Sequence, residues 1–236
     1  LLNGSIVAIL AAAFFLFNPL IVYYSQEARQ YMMATFLLSG SLYFFIKLLK
    51  IKSLKSKVES HNLLLFNLFC ISRFYTFYGS IFLIASFLIY IFYKKQYRLF
   101  LISLIFNLIS ILIISPLLLQ QFFHAKESLQ IVMNWRHVLG TVTLKNLVLI
   151  PLKFASGRIS FEPKILYFFI SGIWTIFVWF FVIQAGIKQR LLFFLIICSL
   201  GIGLLFSFFS PLLQYFRFIY LIPIVSILLA NIVKKS

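Results

Sequence analysis

From Leu1 to Gln26 the chain carries no charged side chain, and uncharged apolar stretches of comparable length recur down to its carboxyl end. A helix needs about 20 such residues to cross a hydrocarbon core of about 30 Å. Inside lipid every backbone N–H and C=O must find its partner within the protein, which leaves helices or a closed barrel. The runs lack the strict apolar/polar alternation of barrel strands. The expected fold is therefore all-α: a polytopic integral membrane helix bundle. Composition agrees, since 11% of the 236 residues are charged and 63% hydrophobic, against about a quarter charged in soluble domains.

The charged punctuation divides the chain into about eight spans within one transmembrane domain, residues 1–236. The first run, 1–24, meets Asn18-Pro19, a helix end or kink, and a second covers about 29–46. Five lysines within residues 47–57 form the clearest cytoplasmic marker. Residues 63–93 are too long for one ordinary span and are interrupted by Arg73 and a polar aromatic stretch to Gly79. The next basic segment is 94–98. Two cytoplasmic segments require an even number of crossings between them, so the run reads as two short helices turning near 73–79. A span at 99–119 ends in Ser115-Pro116. Residues 120–164 then form the one sizeable loop, extracytoplasmic in this threading, followed by spans at 165–187, 191–209 and 218–233.

This threading leaves twelve of the 21 basic residues in short cytoplasmic segments. Six of the others lie in the long loop, where they weigh little in the orientation rule. Glu27, Arg29, Arg73 and Arg217 then share the outer side of what reads as a multi-pass cell (inner) membrane protein.

Lys and Arg outnumber Asp and Glu by 21 to 4, for a net charge of +17. Because these cations sit between hydrophobic runs, they serve helix orientation and anionic headgroups, not nucleic acid. The chain has no Asp, and its acids are Glu27, Glu59, Glu127 and Glu162. That excludes a Ser-His-Asp triad or an aspartate metal cage built from this chain alone. No metal site is expected: Cys70 and Cys198 lie inside spans as packing residues, and His124 and His137 show no ligand pattern. The sequence opens inside a hydrophobic run without Met, so it reads as the carboxy-terminal part of a longer polypeptide.

Three segments could carry chemistry. In YYSQEARQY, residues 23–31, Ser25 can cap a helix, Glu27 suits the positive dipole of a first turn, and Tyr24, Glu27 and Tyr31 share one face. Gln26 and Arg29 share a neighbouring face, where an arginine beside a helix amino terminus can seat a phosphate. Anchoring at the headgroups is the equally weighted alternative. Arg217, in SPLLQYFRFIYLIP, could merely snorkel to the interface. In company with Arg29 and Arg73, however, it could complete a site for an anionic headgroup. Residues 134–158, mixing apolar side chains with Trp135, Arg136, His137, Lys145, Lys153 and Arg158, suit a helix lying flat on the membrane.

These residues resemble the GT-C class of membrane glycosyltransferases, especially its branch of dolichyl-phosphate-mannose protein mannosyltransferases and lipid A aminoarabinose transferases. The most specific match is FNPLIVYYSQEARQYMMATFLLSGSLYFF, residues 17–45, where Asn18, Pro19, Tyr24 to Arg29 and Tyr31 fall in place. FYTFYGSIFL, 74–83, is similar to a family stretch with Tyr-Thr-His-Tyr, but has Phe77 at the histidine. YFRFIYLIPIVSILLA, 215–230, is similar to the family's Arg-Tyr near the last helix, with Phe218 at the tyrosine.

The resemblance implies an inverting, hexosyltransferase-type transfer from a polyprenyl-phosphate-sugar donor to an extracytoplasmic acceptor that is a glycan, lipid or protein. Arg29, Arg73 and Arg217 are then expected to bind the lipid phosphate, with Tyr24, Gln26, Glu27 and Tyr31 lining the pocket. The family's base, usually an Asp in the first outer loop, has no counterpart among these residues. No catalytic residue is therefore expected in this chain, and the piece alone is expected to be inactive. No cofactor is expected within it either, and nothing in these residues supports a divalent cation in a longer protein. The competing expectation is a transporter or flippase subunit for lipid-linked sugars. It is weakened by the placement of every Glu at a helix end or in a loop.

Overall fold

A computed structural model describes residues 4–27, 29–50, 57–131 and 140–233. Part of the lysine-rich segment (51–56) and Trp135, Arg136 and His137 of the long connection lie outside the described residues. Among the described residues the secondary structure is entirely helical. In order these are α1 (Ser5–Leu16), α2 (Pro19–Gln26), α3 (Tyr31–Leu49), α4 (Lys57–Thr76), a 3-10 turn (Tyr78–Ser80), α5 (Ile81–Tyr93), α6 (Tyr97–Ile131), α7 (Leu144–Ser156), α8 (Lys164–Lys188), α9 (Arg190–Ser207), a second 3-10 segment (Tyr215–Leu221) and α10 (Ile222–Val233).

Among the described residues, five helical stretches are long and apolar enough to span a bilayer: Tyr31–Leu49, Tyr97–His124, Lys164–Lys188, Arg190–Ser207 and Tyr215–Val233. Counting α1 with α2 as one bent span gives six. The expected eight is not reached, because α4 carries several polar residues and α5 has only 13 residues. The surface fits a bilayer all the same. On α8, Ile165, Phe169, Ile176 and Ile187 are each at least 65% exposed, as are Leu112 and Ile113 on α6. The protein is a multi-pass integral membrane protein.

Two interruptions shape the bundle. At the first, α1 and α2 meet at 59°. Pro19 occupies the first helical position, where its missing N–H removes no hydrogen bond. The Asn18 side chain caps α2 by accepting from the Leu20 and Ile21 amides at 2.9 and 3.3 Å. Its amide donates to the Phe154 carbonyl at 2.9 Å, tying α2 to α7. Asn18→Ala removes both contacts and should destabilise the protein by about 2 kcal/mol, at the upper end for helix caps. An unchanged unfolding midpoint in detergent would show that Asn18 is not the tie.

The second interruption falls between α4 and α5, within the stretch expected to turn. By contrast, Pro116 does not end α6, which runs on to Ile131. The carbonyl of Leu112, which Pro116 cannot serve, accepts the Ser115 hydroxyl at 2.8 Å. The connection at 120–164 is thus helical over much of its length, comprising the end of α6 and all of α7.

The core runs through α3, α4 and α5, where Phe45 packs on Phe87 at 4.4 Å and on Phe66 at 5.8 Å. α9 packs against α5, and α10 packs against α1 and α8. α3 and α5 start at the end of the bundle where Tyr31, Phe77 and Tyr220 meet, and they run away from it to Lys47 and Lys94.

Candidate functional site

α2 ends at Gln26, and Glu27 follows in extended conformation before α3 begins at Tyr31. This short corner, the loop after α7 and the second 3-10 segment meet at one end of the bundle. Gly157 makes the approach of α7 to α2 close enough. Its φ of 69° suits glycine, and a Cβ there would lie 2.5 Å from that of Pro19. The next residue, Arg158, therefore stands over Tyr23: its guanidinium is 4.4 Å from the ring centroid and donates to the phenol oxygen at 2.8 Å.

Glu27 lies between two arginines. Its Oε2 is 3.2 Å from Arg29 Nε and its Oε1 is 3.6 Å from Arg158 Nη1. Arg29 and Arg217, from different elements, are both within electrostatic reach of the buried Tyr31 hydroxyl. Arg217 is half-buried and donates to the Pro211 carbonyl at 3.3 Å. Tyr24, Tyr31 and Phe216 pack as an aromatic floor, with centroids 5.2 to 6.4 Å apart. Burial works against the Arg158 cation, but Tyr215, Tyr24, Tyr23 and Glu27 outweigh it and raise its pKa above the ordinary arginine value.

Of the residues singled out by sequence, Tyr24, Glu27, Arg29, Tyr31 and Arg217 come together here. Gln26 is exposed at the end of α2. Arg73, expected at the rim with the other arginines, is instead fully buried. It donates to the Ser80 carbonyl and stacks over Tyr220 at 5.3 Å, while the Tyr220 hydroxyl donates to the Gly79 carbonyl at 3.2 Å. The two side chains thus satisfy carbonyls freed where α4 gives way to α5, which is a structural task. The third guanidinium of the cluster is Arg158, which sequence reasoning assigned to a membrane-surface segment. Its clue was the glycine immediately before it.

An apolar cavity of about 640 Å³ lies between α1, α7, α8 and α10, lined by Phe14, Phe17, Trp174, Phe177, Val225 and Leu229 among others. Its lining also includes Asn18, Pro19 and Ala155, which brings it within one short helix of the polar cluster. α2, with eight residues, is about 12 Å long at 1.5 Å per residue. No family model, curated protein or solved structure matches this chain. The site is therefore read from its own chemistry. A carboxylate flanked by two guanidiniums, as Glu27 is, has no open face for a cation. Among the described residues no group of three His, Cys, Asp or Glu side chains could hold a metal. Three arginines above an apolar slot suit an amphiphilic anion instead.

Proposed function

We propose that this chain is part of a membrane glycosyltransferase that takes a sugar from a polyprenyl-phosphate-linked donor and passes it, with inversion, to an extracytoplasmic acceptor. The observation that carries this reading is the convergence of Arg29, Arg158 and Arg217 beside a cavity able to take a hydrocarbon chain. A cavity of about 640 Å³ lies within the range of about 300–1,000 Å³ that encloses small organic ligands. The lipid chain would occupy the cavity and its phosphate the cluster.

In such a transfer an acceptor hydroxyl or amine attacks the anomeric carbon. The bond from that carbon to the phosphate oxygen breaks, and the electron pair leaves with the phosphate. Negative charge grows on the departing group, where pre-positioned guanidiniums stabilise it most. The aromatic floor of Tyr24, Tyr31 and Phe216 would seat the sugar or the first isoprene units. Glu27 is engaged as a counter-charge between two arginines, so the base that takes the acceptor proton is assigned to a residue outside the cluster.

The test is transfer of radiolabelled sugar from a polyprenyl-phosphate donor, using the full-length protein in proteoliposomes. Incorporation into an acceptor that depends on the lipid phosphate is the expected result. Movement of the intact lipid-linked sugar between leaflets, with no glycosidic product, would mean a flippase instead.

A further inference from the structure

We propose that Glu27 is a built-in competitor, its carboxylate holding Arg29 and Arg158 until a lipid-borne phosphate displaces it. This rests on reading the cluster as an anion site, and adds a means of regulating it. The carboxylate presents one oxygen to each arginine, at 3.2 and 3.6 Å. It thereby occupies both guanidiniums that an incoming anion needs.

Its hold is incomplete. Oε2 is shut off from solvent yet accepts no hydrogen bond, and the 3.6 Å separation on the other side exceeds hydrogen-bond length. The two arginines hold Glu27 by charge, and beyond them only the neighbouring Tyr23 side chain is placed to hydrogen-bond with it. The phosphodiester of a lipid-linked sugar carries two terminal oxygens and one negative charge, enough for a short, charge-assisted hydrogen bond to each arginine, and the monoester left after transfer carries three terminal oxygens and up to two charges. The exchange therefore favours the ligand.

Glu27 also lies outside any helix. It sits in extended backbone after the last residue of α2, so a rotation of its side chain disturbs no helix. Arg29 is 57% exposed, which opens the site to a ligand while the Glu27 side chain itself is only 23% exposed. The chain has four acids against 21 basic residues, and one of those acids is placed between two of the three clustered guanidiniums. Such a carboxylate lowers affinity for weak or accidental anions and reserves the cluster for a ligand that also gains from the apolar cavity.

The experiment titrates dodecyl phosphate, and separately inorganic phosphate, into the purified protein in uncharged detergent, with binding read by calorimetry. Three proteins are compared: the unaltered chain, Glu27→Gln and Glu162→Gln. The last removes the same charge from an exposed residue paired with Lys164. If the carboxylate leaves the site free about one-tenth of the time, its removal tightens binding about tenfold.

The expected result is tighter binding of dodecyl phosphate by Glu27→Gln alone. The same gain with inorganic phosphate would mean that the free anion is ligand enough, and its absence that the ligand is lipid-borne. Equal or weaker binding by Glu27→Gln overturns the competitor while leaving the anion site standing, as does an equal gain in Glu162→Gln. If neither the unaltered chain nor Glu27→Gln binds either probe, the anion site falls and the competitor with it.

Discussion

Gly157→Ala should lower the stability of the protein by about 3 kcal/mol, combining the strain of a conformation nearly reserved for glycine with overpacking. The residue has φ 69° and ψ −156°. A Cβ would approach the Pro19 Cβ to 2.5 Å and the Pro19 carbonyl carbon to 3.0 Å. Neither neighbour can yield, because Pro19 is fixed by its ring and by the Asn18 cap. The measurement is the midpoint of denaturation in mixed micelles, compared with Gly172→Ala, where an added Cβ meets nothing within 4 Å. Two equal midpoints would contradict the close approach of α7 to α2. Because Arg158 follows directly, the same variant should also weaken dodecyl phosphate binding.

Arg29→Gln, Arg158→Gln and Arg217→Gln should each reduce sugar transfer by the full-length protein about 100-fold, the lower range for losing one preorganised donor to a developing charge. The loss should appear mainly in kcat, because the charge on the leaving phosphate grows as the bond breaks. Arg29→Lys should recover part of it, since a lysine restores the charge but not the guanidinium fork. If all three glutamine variants kept full activity, the cluster would have no part in the reaction. Arg73→Gln tests a different task. Its effect should fall on stability and leave the affinity for dodecyl phosphate unchanged in the folded fraction.

Which features could be read from sequence follows from the range of the physics involved. The break at Asn18-Pro19 was legible because a capping asparagine followed by proline acts within a few residues. The turn between α4 and α5 was legible from charge parity, which needs only the positions of two basic segments. Pro116 misled because the competing influence was a hydroxyl one residue away. In lipid, with no water to take up the orphaned Leu112 carbonyl, Ser115 satisfies it and α6 continues.

The arginines divide along the same line. Arg29 and Glu27 are neighbours in sequence, so their pairing was open to inspection. Arg158 reaches Tyr23 across 135 residues, a meeting that depends on how α7 folds back on α2 and that no local pattern announces. Arg73 shows the opposite limit. An arginine flanked by aromatics looks the same in sequence whether it faces headgroups or is enclosed beneath Tyr220.

α7 is fastened on two sides. The Trp174 and Trp179 indoles donate to the Ala155 and Pro151 carbonyls, each at 3.1 Å, and Asn18 holds the Phe154 carbonyl from the α2 side. The helix that forms one wall of the greasy slot also leads directly into the arginine that stacks on Tyr23. It therefore joins the wall of the slot to the charged rim in one hydrogen-bonded body. On the reading proposed above, a lipid tail filling the slot would press on the same body that carries Arg158, so that tail length and headgroup grip would be coupled.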